Sequence, residues 1–404
     1  MSKSDRAIPY HFSDQFESHA PGREQEMVVD AARIECDLET TTITFPIRYG
    51  THSRDVWFQI RGAKADATGA TAVAMTLVPA MKVARRLRVA NPVSPKLLST
   101  LPKIQEIFPV WNHRFEQVPV LAPMLDTSLA GPANGVGVFF SGGVDSFFSL
   151  LRHFHEITHL IFVRGFDIRL DNRALAEEVL SVIRSVAEEV NKPLIEVTTN
   201  LRDFSDELVA WGADYHGSAL ASVALLLAPV LRKAYIASTH PYSALFPWGS
   251  HPLLDYRWST ETVEIDHDGC DATRVKKVAV IANSPTVQRT LRVCYRNKNG
   301  AYNCGRCEKC LRTMVNLRVA GALEQCRTFK RPLRLGEVRL INVKDENTAS
   351  FVIENLRAAE ATGDDPALVR ALRQALSRRF YRGPGHLVRP AIDLINRLQR
   401  KFEK

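Results

Sequence analysis

The chain has 404 residues, of which 45% are hydrophobic and 24% are charged, and its formal net charge is +9. These values are typical of a globular protein with two or three domains, and the positive charge allows an anionic partner such as RNA or ATP without selecting one. Because neither a run of about eighteen apolar residues nor a signal-peptide pattern is present, we expect no membrane span and a cytoplasmic location.

The first 130 residues are predicted to form a β-rich domain. Apolar and β-branched residues alternate in residues 41–47 and 56–60, as in strands with one buried face. Residues 71–81 continue this trend, whereas Ser94 before a proline predicts a helix that extends to Phe108. No catalytic pattern precedes residue 135. A recognition role and a purely supporting role for this domain both stay open.

The central motif lies in residues 135–149, where GVGVFFSGGVDSFFS predicts a buried strand, a tight loop and a helix. Two adjacent glycines let the loop backbone approach a ligand, and the N–H groups at the helix start favour an anion. Ser141 and Ser146 add hydroxyl donors, and Asp145 would orient the loop or bind magnesium. The loop lacks the lysine of a Walker A motif, the third glycine of a dinucleotide fingerprint and the glycines of a nucleophile elbow. An ordinary glycine turn is the alternative.

Strands and helices alternate after this loop. Strand patterns at residues 159–163, 194–198 and 234–237 are separated by helical patterns at 171–190 and 219–231. This order predicts an α/β fold with a doubly wound parallel sheet, whose ligand crevice lies at the carboxyl ends of the strands.

The segment 241–260 is rich in proline and aromatic residues, and it predicts an ordered loop over the crevice. Trp248 and Tyr256 could stack on a planar substrate, while a packed connection with core aromatics is the alternative. The Asp-Gly pair in residues 267–269 predicts a hairpin turn.

Seven cysteines in a long chain argue against a disulfide framework, and four of them crowd between Cys294 and Cys310. The pattern Cys-x9-Cys-Gly-x-Cys-x2-Cys is typical of tetrahedral zinc, with Gly305 in the turn. An iron–sulfur cluster and unligated thiols are the alternatives, although the Cys-Pro of a ferredoxin run is missing. The remaining cysteines, Cys36, Cys270 and Cys326, are expected to be buried small side chains.

The C-terminal segment has helical propensity from Glu354 onward. Within residues 378–404, an apolar stripe is surrounded by arginine and lysine. Such a helix could dock on a partner, on RNA or on an anionic surface, or it could pack on its own protein.

The sequence SGGVDS after an apolar strand resembles the pyrophosphate loop of the N-type ATP pyrophosphatases. Together with Cys294-Tyr295, the Cys304–Cys310 cysteines and the following Leu311-Arg312, it resembles the 7-cyano-7-deazaguanine synthase branch, over roughly residues 135–323. This resemblance implies a Rossmann-like sheet and a ligase that uses ATP with Mg²⁺ and carries Zn²⁺. The ligase would adenylate a carboxylate such as 7-carboxy-7-deazaguanine, release pyrophosphate and form a C–N bond with ammonia or an amine.

The resemblance and the strand ends assign site residues. The expected catalytic residues are Asp145, Ser146 and Lys277. The expected ATP-binding residues are Phe140, Ser141, Gly142, Gly143, Val144, Asp145, Ser146, Gly165 and Phe166. The expected substrate-binding residues are His216, Ser218, Ser238, His240, Trp248, His251 and Asp255. The expected zinc ligands are Cys294, Cys304, Cys307 and Cys310. The expected domains are 1–130 (N-terminal), 131–330 (ATP pyrophosphatase) and 331–404 (helical basic tail).

Two departures from the family concern the substrate segments. Gly165-Phe166-Asp167 stands where the family has Tyr-Gly-Gln, and residues 216–219 read His-Gly-Ser-Ala instead of Pro-Gly-Arg-Asn. The acceptor could therefore be a free base, a protein or RNA. The sequence also leaves open whether the chain forms a homodimer and whether it serves tRNA modification or antiviral defence. The alternative functions are a tRNA thiolation enzyme and a non-catalytic module that binds ATP or RNA.

Overall fold

The computed structural model describes residues 23–127, 131–297 and 300–378. The strands of this part of the chain belong to one mixed sheet of eleven strands. They are β1 (Met27–Val29), β2 (Arg33–Cys36), β3 (Thr40–Tyr49), β4 (His52–Arg61), β5 (Leu87–Val89), β6 (Val120–Leu121), β7 (Gly135–Phe139), β8 (His159–Arg164), β9 (Leu194–Thr199), β10 (Leu231–Ala237) and β11 (Glu264–Asp268). Their order is β11-β10-β7-β8-β9-β4-β3-β1-β5-β6, and β2 pairs with β3 outside this path.

The sheet is parallel across the five strands from β11 to β9 and mixed beyond them. β4 pairs antiparallel with β9, and β3 pairs antiparallel with β4. The predicted α/β class is confirmed, and the whole sheet is mixed but largely parallel. Val56, Phe58 and Ile60 give β4 one buried face, so it extends the sheet at β9. The same sheet thus contains strands from before and after residue 130, and the domain boundary expected there stays a prediction.

Helices connect these strands and follow them in the chain. They are α1 (Gly69–Val83), α2 (Pro95–Trp111), α3 (Val144–Arg152), α4 (Arg173–Glu189), α5 (Leu201–Ser205), α6 (His216–Leu226), α7 (Arg274–Ile281), α8 (Pro285–Thr290), α9 (Glu308–Val319), α10 (Leu335–Val338), α11 (Glu346–Thr362) and α12 (Pro366–Arg378). A π-helical turn covers Trp211–Tyr215, and 3₁₀ turns cover Tyr242–Ala244 and Asp255–Trp258.

Helices cover both faces of the parallel strands. One core contains residues of α1, α2 and α6, and the other contains residues of α3, α4 and α7. In β7, Val136 and Val138 belong to the second core, while the following Phe139 belongs to the first. This strand is therefore buried on both faces, as its continuous apolar run predicts. A third core joins α9 to α10, α11 and α12.

The strand trend expected for residues 71–81 is wrong, because this segment lies in α1. Thr68 caps the helix by accepting a hydrogen bond from the Thr71 N–H group. Thirteen consecutive residues from Gly69 to Met81 are buried. A helix buried on all sides has no polar stripe, and its apolar run therefore resembles that of a buried strand.

The hairpin turn expected at residues 267–269 is also wrong. His267 and Asp268 end β11, which pairs parallel with β10 at the edge of the sheet. Gly269 has the positive φ of +94° that an Asp-Gly pair suggests, but the chain then enters α7 instead of returning as a strand. The Asp-Gly pair thus marks a turn at the end of β11, but no antiparallel strand follows among the described residues to form a hairpin.

Three further expectations concern the second half of the chain. The segment 241–260 contains no strand and only short helical turns, as expected for an ordered loop. The helix expected at 219–231 spans His216–Leu226, so β10 begins earlier than predicted. Helical propensity after Glu354 is confirmed by α11 and α12, whereas the basic stripe beyond residue 378 lies outside the described residues.

Candidate functional site

The glycine loop joins β7 to α3 at the carboxyl edge of the parallel strands. Gly142 adopts a φ of +71°, a left-handed conformation that favours glycine. The Ser146 hydroxyl accepts a hydrogen bond from the Gly143 N–H group at 3.1 Å and donates one to the Gly143 carbonyl at 3.1 Å. The Arg292 N–H group donates to the Gly142 carbonyl at 2.8 Å. These bonds hold a loop whose backbone geometry suits an anion.

The side chains expected to bind ATP lie on two sides of this loop. Ser141 and Gly143 are partly exposed, but Phe140 and Val144 are buried in the core behind the loop. Phe140 and Val144 could therefore meet a ligand only through their backbone atoms. The Ser146 hydroxyl is already used by the loop, which makes it a loop-shaping group.

Asp145 lies among four cationic side chains from two other helices. Its carboxylate is 3.0 Å from Arg274 Nη2 and 3.4 Å from Lys277 Nζ, and Lys309 and Arg312 also act on it. Burial raises the pKa of Asp145, but the four cations outweigh burial and lower it. The carboxylate is therefore ionised and held by Arg274 and Lys277, which suits orientation of the cations better than magnesium binding.

Lys277 is 1% exposed, and Nζ donates a hydrogen bond to the Ser238 carbonyl at 2.5 Å. Burial lowers the pKa of Lys277, although Asp145 opposes the effect. The neighbouring Lys276 is exposed. Of these two adjacent lysines, Lys277 is the one that reaches the loop.

Buried guanidinium nitrogens of the cluster lack hydrogen-bond partners. Arg274 is 2% exposed. Its Nη2 atom forms an ion pair with Asp145 Oδ2 at 3.0 Å without hydrogen-bond geometry, and its Nε atom has no hydrogen-bond partner among the described residues. Nε of Arg312 is also unpaired, although it lies 3.5 Å from Glu308 Oε1. Unpaired buried donors of charged groups are costly, and an anion bound beside Asp145 and Glu308 would supply the missing hydrogen bonds. A planar guanidinium fits phosphate oxygens well.

Acidic residues also balance part of this charge. Besides Asp145, Arg312 interacts with Glu308 and Glu354, and Lys309 interacts with Asp167. Formal charge therefore does not identify the ligand by itself. The open donors of Arg274 and Arg312 are the more specific observation.

His240 stands between the cations and a group of aromatic rings. It is 4% exposed, and neither ring nitrogen has a hydrogen-bond partner within the described part of the chain. Its ring centroid lies 4.6 Å from that of Phe246, 6.2 Å from that of Trp248 and 5.2 Å from that of Phe351. Burial and the nearby Arg274 and Arg312 lower the pKa of His240 to about 3. The neutral ring therefore offers one donor and one acceptor.

Trp248 joins this group to the π-helical turn before α6. Its ring lies 5.7 Å from that of His216, and a Cβ atom at Gly212 would be 2.8 Å from its edge. Trp211 lies 4.9 Å from Phe166, which follows β8. The structure thus brings Phe166, His216, His240 and Trp248 into one connected aromatic group.

Other residues expected to bind substrate are engaged within the protein. The Ser218 hydroxyl donates to the Tyr215 carbonyl at 2.9 Å, and the Ser238 hydroxyl donates to the His240 carbonyl at 2.7 Å. His251 Nδ1 accepts from the Leu253 N–H group at 3.0 Å. These groups fix the loops around the aromatic rings.

Asp255 forms a buried pair with His267, a residue that sequence reasoning placed in a turn. Asp255 is 0% exposed, and its Oδ2 atom lies 2.7 Å from His267 Nδ1 and accepts from Ser250 Oγ at 2.5 Å. Burial lowers the pKa of His267, but the Asp255 carboxylate and the Cys270 thiol outweigh it and raise the pKa to about 9. His267 is therefore an imidazolium at neutral pH.

Gly165, which precedes Phe166, has a structural reason to be glycine. Its φ is +103°, and a Cβ atom would overlap the Thr199 carbonyl oxygen at the end of β9. A cavity of about 160 Å³ lies beside it, lined in part by Asn200 and Arg202. A larger cavity of about 360 Å³ lies away from the loop, against β4, β8, β9 and α4. Cavity size alone therefore does not locate the site.

Four cysteines converge beside the cation cluster. The sulfur atoms of Cys294, Cys304, Cys307 and Cys310 all lie within 4.8 Å of one another, and those of Cys304 and Cys310 are 3.9 Å apart. Zn–S bonds of about 2.3 Å place tetrahedral sulfur atoms about 3.8 Å apart. The Cys307 and Cys310 N–H groups donate to the preceding sulfur atoms at 3.3 and 3.4 Å, and Gly305 has a φ of +64°. The group could bind a metal such as zinc.

The cysteine group also positions cations. Cys307 caps α9, and Lys309 and Arg312 lie in the first turns of that helix. Sequence reasoning assigned no role to Arg274, Lys309 or Arg312. Lys309 lies inside the cysteine motif and Arg312 lies two residues after its last cysteine, so the motif could have pointed to both cations.

Comparisons with protein-family models, with curated proteins and with solved structures find no match to this chain. None of the described helices is long and apolar enough to cross a membrane.

Proposed function

We propose that this chain is an ATP-dependent ligase of the 7-cyano-7-deazaguanine synthase type, which adenylates a carboxylate and then forms a C–N bond. The observation that carries the proposal is the pair of buried guanidinium groups, Arg274 and Arg312, whose open donors lie beside the glycine loop. A pyrophosphate group bound there would complete their hydrogen bonds. Lys277, beside the same carboxylate, would add a third cation.

In the proposed reaction, a carboxylate oxygen of the substrate attacks the α-phosphorus of ATP. The bond from the α-phosphorus to the bridging oxygen breaks, and pyrophosphate leaves toward Arg274, Arg312 and Lys277. An amine nitrogen then attacks the acyl carbon, and the C–O bond to AMP breaks. The cations stabilise negative charge as it develops, and the loop backbone positions the phosphates. Magnesium, when bound with ATP, would neutralise phosphate charge.

The aromatic group is the proposed place for the acceptor. Trp248 and Phe246 provide flat apolar surfaces, and the neutral His240 ring provides one open donor and one open acceptor. These features fit a planar heterocycle whose carboxylate points toward the cations. A free base, or a base joined to a protein or RNA, would satisfy the same contacts. Mass spectrometry of molecules that copurify with the chain would identify the acceptor.

The proposal is tested by nucleotide binding and by product analysis. Calorimetry with α,β-methylene-ATP and Mg²⁺ should show binding to the parent chain. We expect Arg274→Met to weaken binding by roughly tenfold to a hundredfold, because charge-assisted hydrogen bonds contribute about 1.5–3 kcal/mol. Arg289→Met is the matched control, because Arg289 is exposed and pairs with Glu189. With ATP, 7-carboxy-7-deazaguanine and ammonium, the parent should release AMP and pyrophosphate.

Three results would argue against the proposal. Equal affinities of the parent and Arg274→Met for the ATP analogue would show that the cation cluster is not part of the ATP site. ATP binding without AMP formation across free-base, protein and RNA acceptors would support a non-catalytic module. A preparation with iron at the cysteines would support the thiolation alternative.

A further inference from the structure

Helix α11, which belongs to the C-terminal helices, contacts the cation cluster directly. The guanidinium carbon of Arg312 lies 3.6 Å from the ring centroid of Phe351, and that of Arg274 lies 5.7 Å from it. The His240 ring lies 5.2 Å from the same phenyl ring. The three side chains with open polar atoms thus meet at one aromatic residue.

The contact between Arg312 and Phe351 orients the guanidinium. The negative face of an aromatic ring attracts a cation, most strongly where water is excluded. Arg312 is 6% exposed and Phe351 is 4% exposed, so this pair is largely desolvated. Because the guanidinium carbon lies over the face of the ring, its N–H groups remain available to other partners.

Glu354 lies three residues after Phe351 and therefore near it on the helix surface. Its Oε1 atom accepts a hydrogen bond from the Val275 N–H group at 2.6 Å. Val275 is the second residue of α7, the helix that carries Arg274 and Lys277. The first N–H groups of a helix have no partner within it, and Glu354 supplies one here. Glu354 thereby fixes the start of α7.

Helix α11 is itself anchored to α9. Asn355 accepts a hydrogen bond from the Asn316 side chain and donates one to the Arg312 carbonyl at 3.5 Å. Asp345 caps α11 by accepting from the Thr348 N–H group at 2.8 Å. Apolar residues of α9, α11 and α12 share one core. The ring of Phe351 is therefore held on the same framework as Arg312.

We propose that Phe351 and Glu354 are positioning residues of the anion site, so that the C-terminal helices complete the site instead of forming a separate appendage. This inference depends on the proposed ATP site. Phe351 holds Arg312, and Glu354 holds the first turn of α7 with Arg274 and Lys277. Neither residue needs to touch the nucleotide.

The test for Phe351 compares shape with ring electrostatics in the full chain. Phe351→Leu removes the ring, and pentafluorophenylalanine at residue 351 keeps the shape of the ring but reverses the charge of its face. Both changes are expected to weaken binding of α,β-methylene-ATP with Mg²⁺ by roughly tenfold, as a desolvated cation–π contact would. Melting temperature and zinc content of both proteins serve as controls for the fold.

Binding equal to that of the parent after fluorination would overturn the role of Phe351, because the shape of the ring alone would then suffice. The parent and Arg274→Met provide the reference for the site itself. If Arg274→Met weakens binding while fluorination and Phe351→Leu do not, this inference fails and the proposed function stands. If the parent does not bind the analogue, both fail.

Glu354 is tested by a pair of substitutions. Glu354→Gln keeps a hydrogen-bond acceptor for the Val275 N–H group and removes a negative charge near Arg312, so affinity for the analogue should equal or exceed that of the parent. Glu354→Ala removes the acceptor and should weaken binding severalfold. Equal affinities for the two variants would show that the hydrogen bond to α7 does not position the site.

Discussion

The buried pair of Asp255 and His267 predicts a loss of stability in mildly alkaline solution. Burial lowers the pKa of His267, but Asp255 and the Cys270 thiol raise it from the ordinary 6.5 to about 9. Above pH 6.5 the unfolded chain releases this proton, while the folded chain keeps it up to about pH 9. The contribution of the pair is thus fully present below pH 6.5 and is lost as the pH rises through 9.

The size of the effect follows from the same interval. One pH unit corresponds to about 1.4 kcal/mol, so the interval from 6.5 to about 9 represents about 3 kcal/mol of unfolding free energy. Between these limits nearly one proton separates the folded and unfolded states. The slope should therefore approach about 1.2 kcal/mol per pH unit near the middle of the interval.

The assay is urea unfolding of the parent and of the double variant Asp255→Asn, His267→Gln from about pH 5 to about pH 9.5. The double variant keeps hydrogen-bonding groups but has no titrating pair. We expect the difference in unfolding free energy to shrink by about 3 kcal/mol between about pH 6.5 and 9.5. A difference that stays constant across this range would refute the reasoning.

The same titration contains an internal control. Burial and nearby arginines lower the pKa of His240 to about 3, so the unfolded chain gains a proton below pH 6.5 that the folded chain does not. The contribution of neutral His240 to the unfolding free energy is present above pH 6.5 and is lost as the pH falls toward 3. The parent and the double variant should therefore lose stability in parallel between about pH 6.5 and 5.

Two further predictions concern the cysteine group and a crowded glycine. The parent should carry one zinc per chain, whereas Cys307→Ser should lose the metal and melt at a lower temperature. Cys36→Ser should do neither, because Cys36 is exposed and the expectation that it is buried is wrong. Retained zinc in Cys307→Ser would contradict the assignment. Gly165→Ala should cost about 3 kcal/mol or more in urea unfolding, because its Cβ would overlap the Thr199 carbonyl at a φ of +103°. Gly321→Ala, with a φ of +69° and open space, should cost only about 1 kcal/mol, and equal costs would disprove the steric argument.

Local patterns allowed much of the fold to be predicted from the sequence. The strand, glycine loop and helix of residues 135–149 were predictable because neighbouring residues encode them. The group of Cys304, Cys307 and Cys310 was predictable because these residues lie in one turn and at the start of α9. The error at α1 has a physical cause, because burial on all sides removes the period that distinguishes a helix from a strand.

The candidate site was less predictable because its charged groups come from separate helices. Arg274 and Arg312 lie 38 positions apart on α7 and α9, and no local pattern brings them to Asp145. His267 occupied a strand that sequence reasoning did not find, so its pairing with Asp255 was hidden. Lys277 is buried and its neighbour Lys276 is exposed, a difference that depends on the tertiary fold.

The junction between β4 and β9 links the amino-terminal third of the protein to the rim of the crevice. The Thr199 hydroxyl donates to the Trp57 carbonyl, and Asn200 both receives and donates hydrogen bonds across this junction. A shortened protein beginning at residue 131 would leave β9 as an unpaired edge strand next to the crevice, and strands of other molecules could pair with it. The amino-terminal part thus covers the β9 edge of the parallel strands, and its removal should leave the remaining chain prone to aggregate.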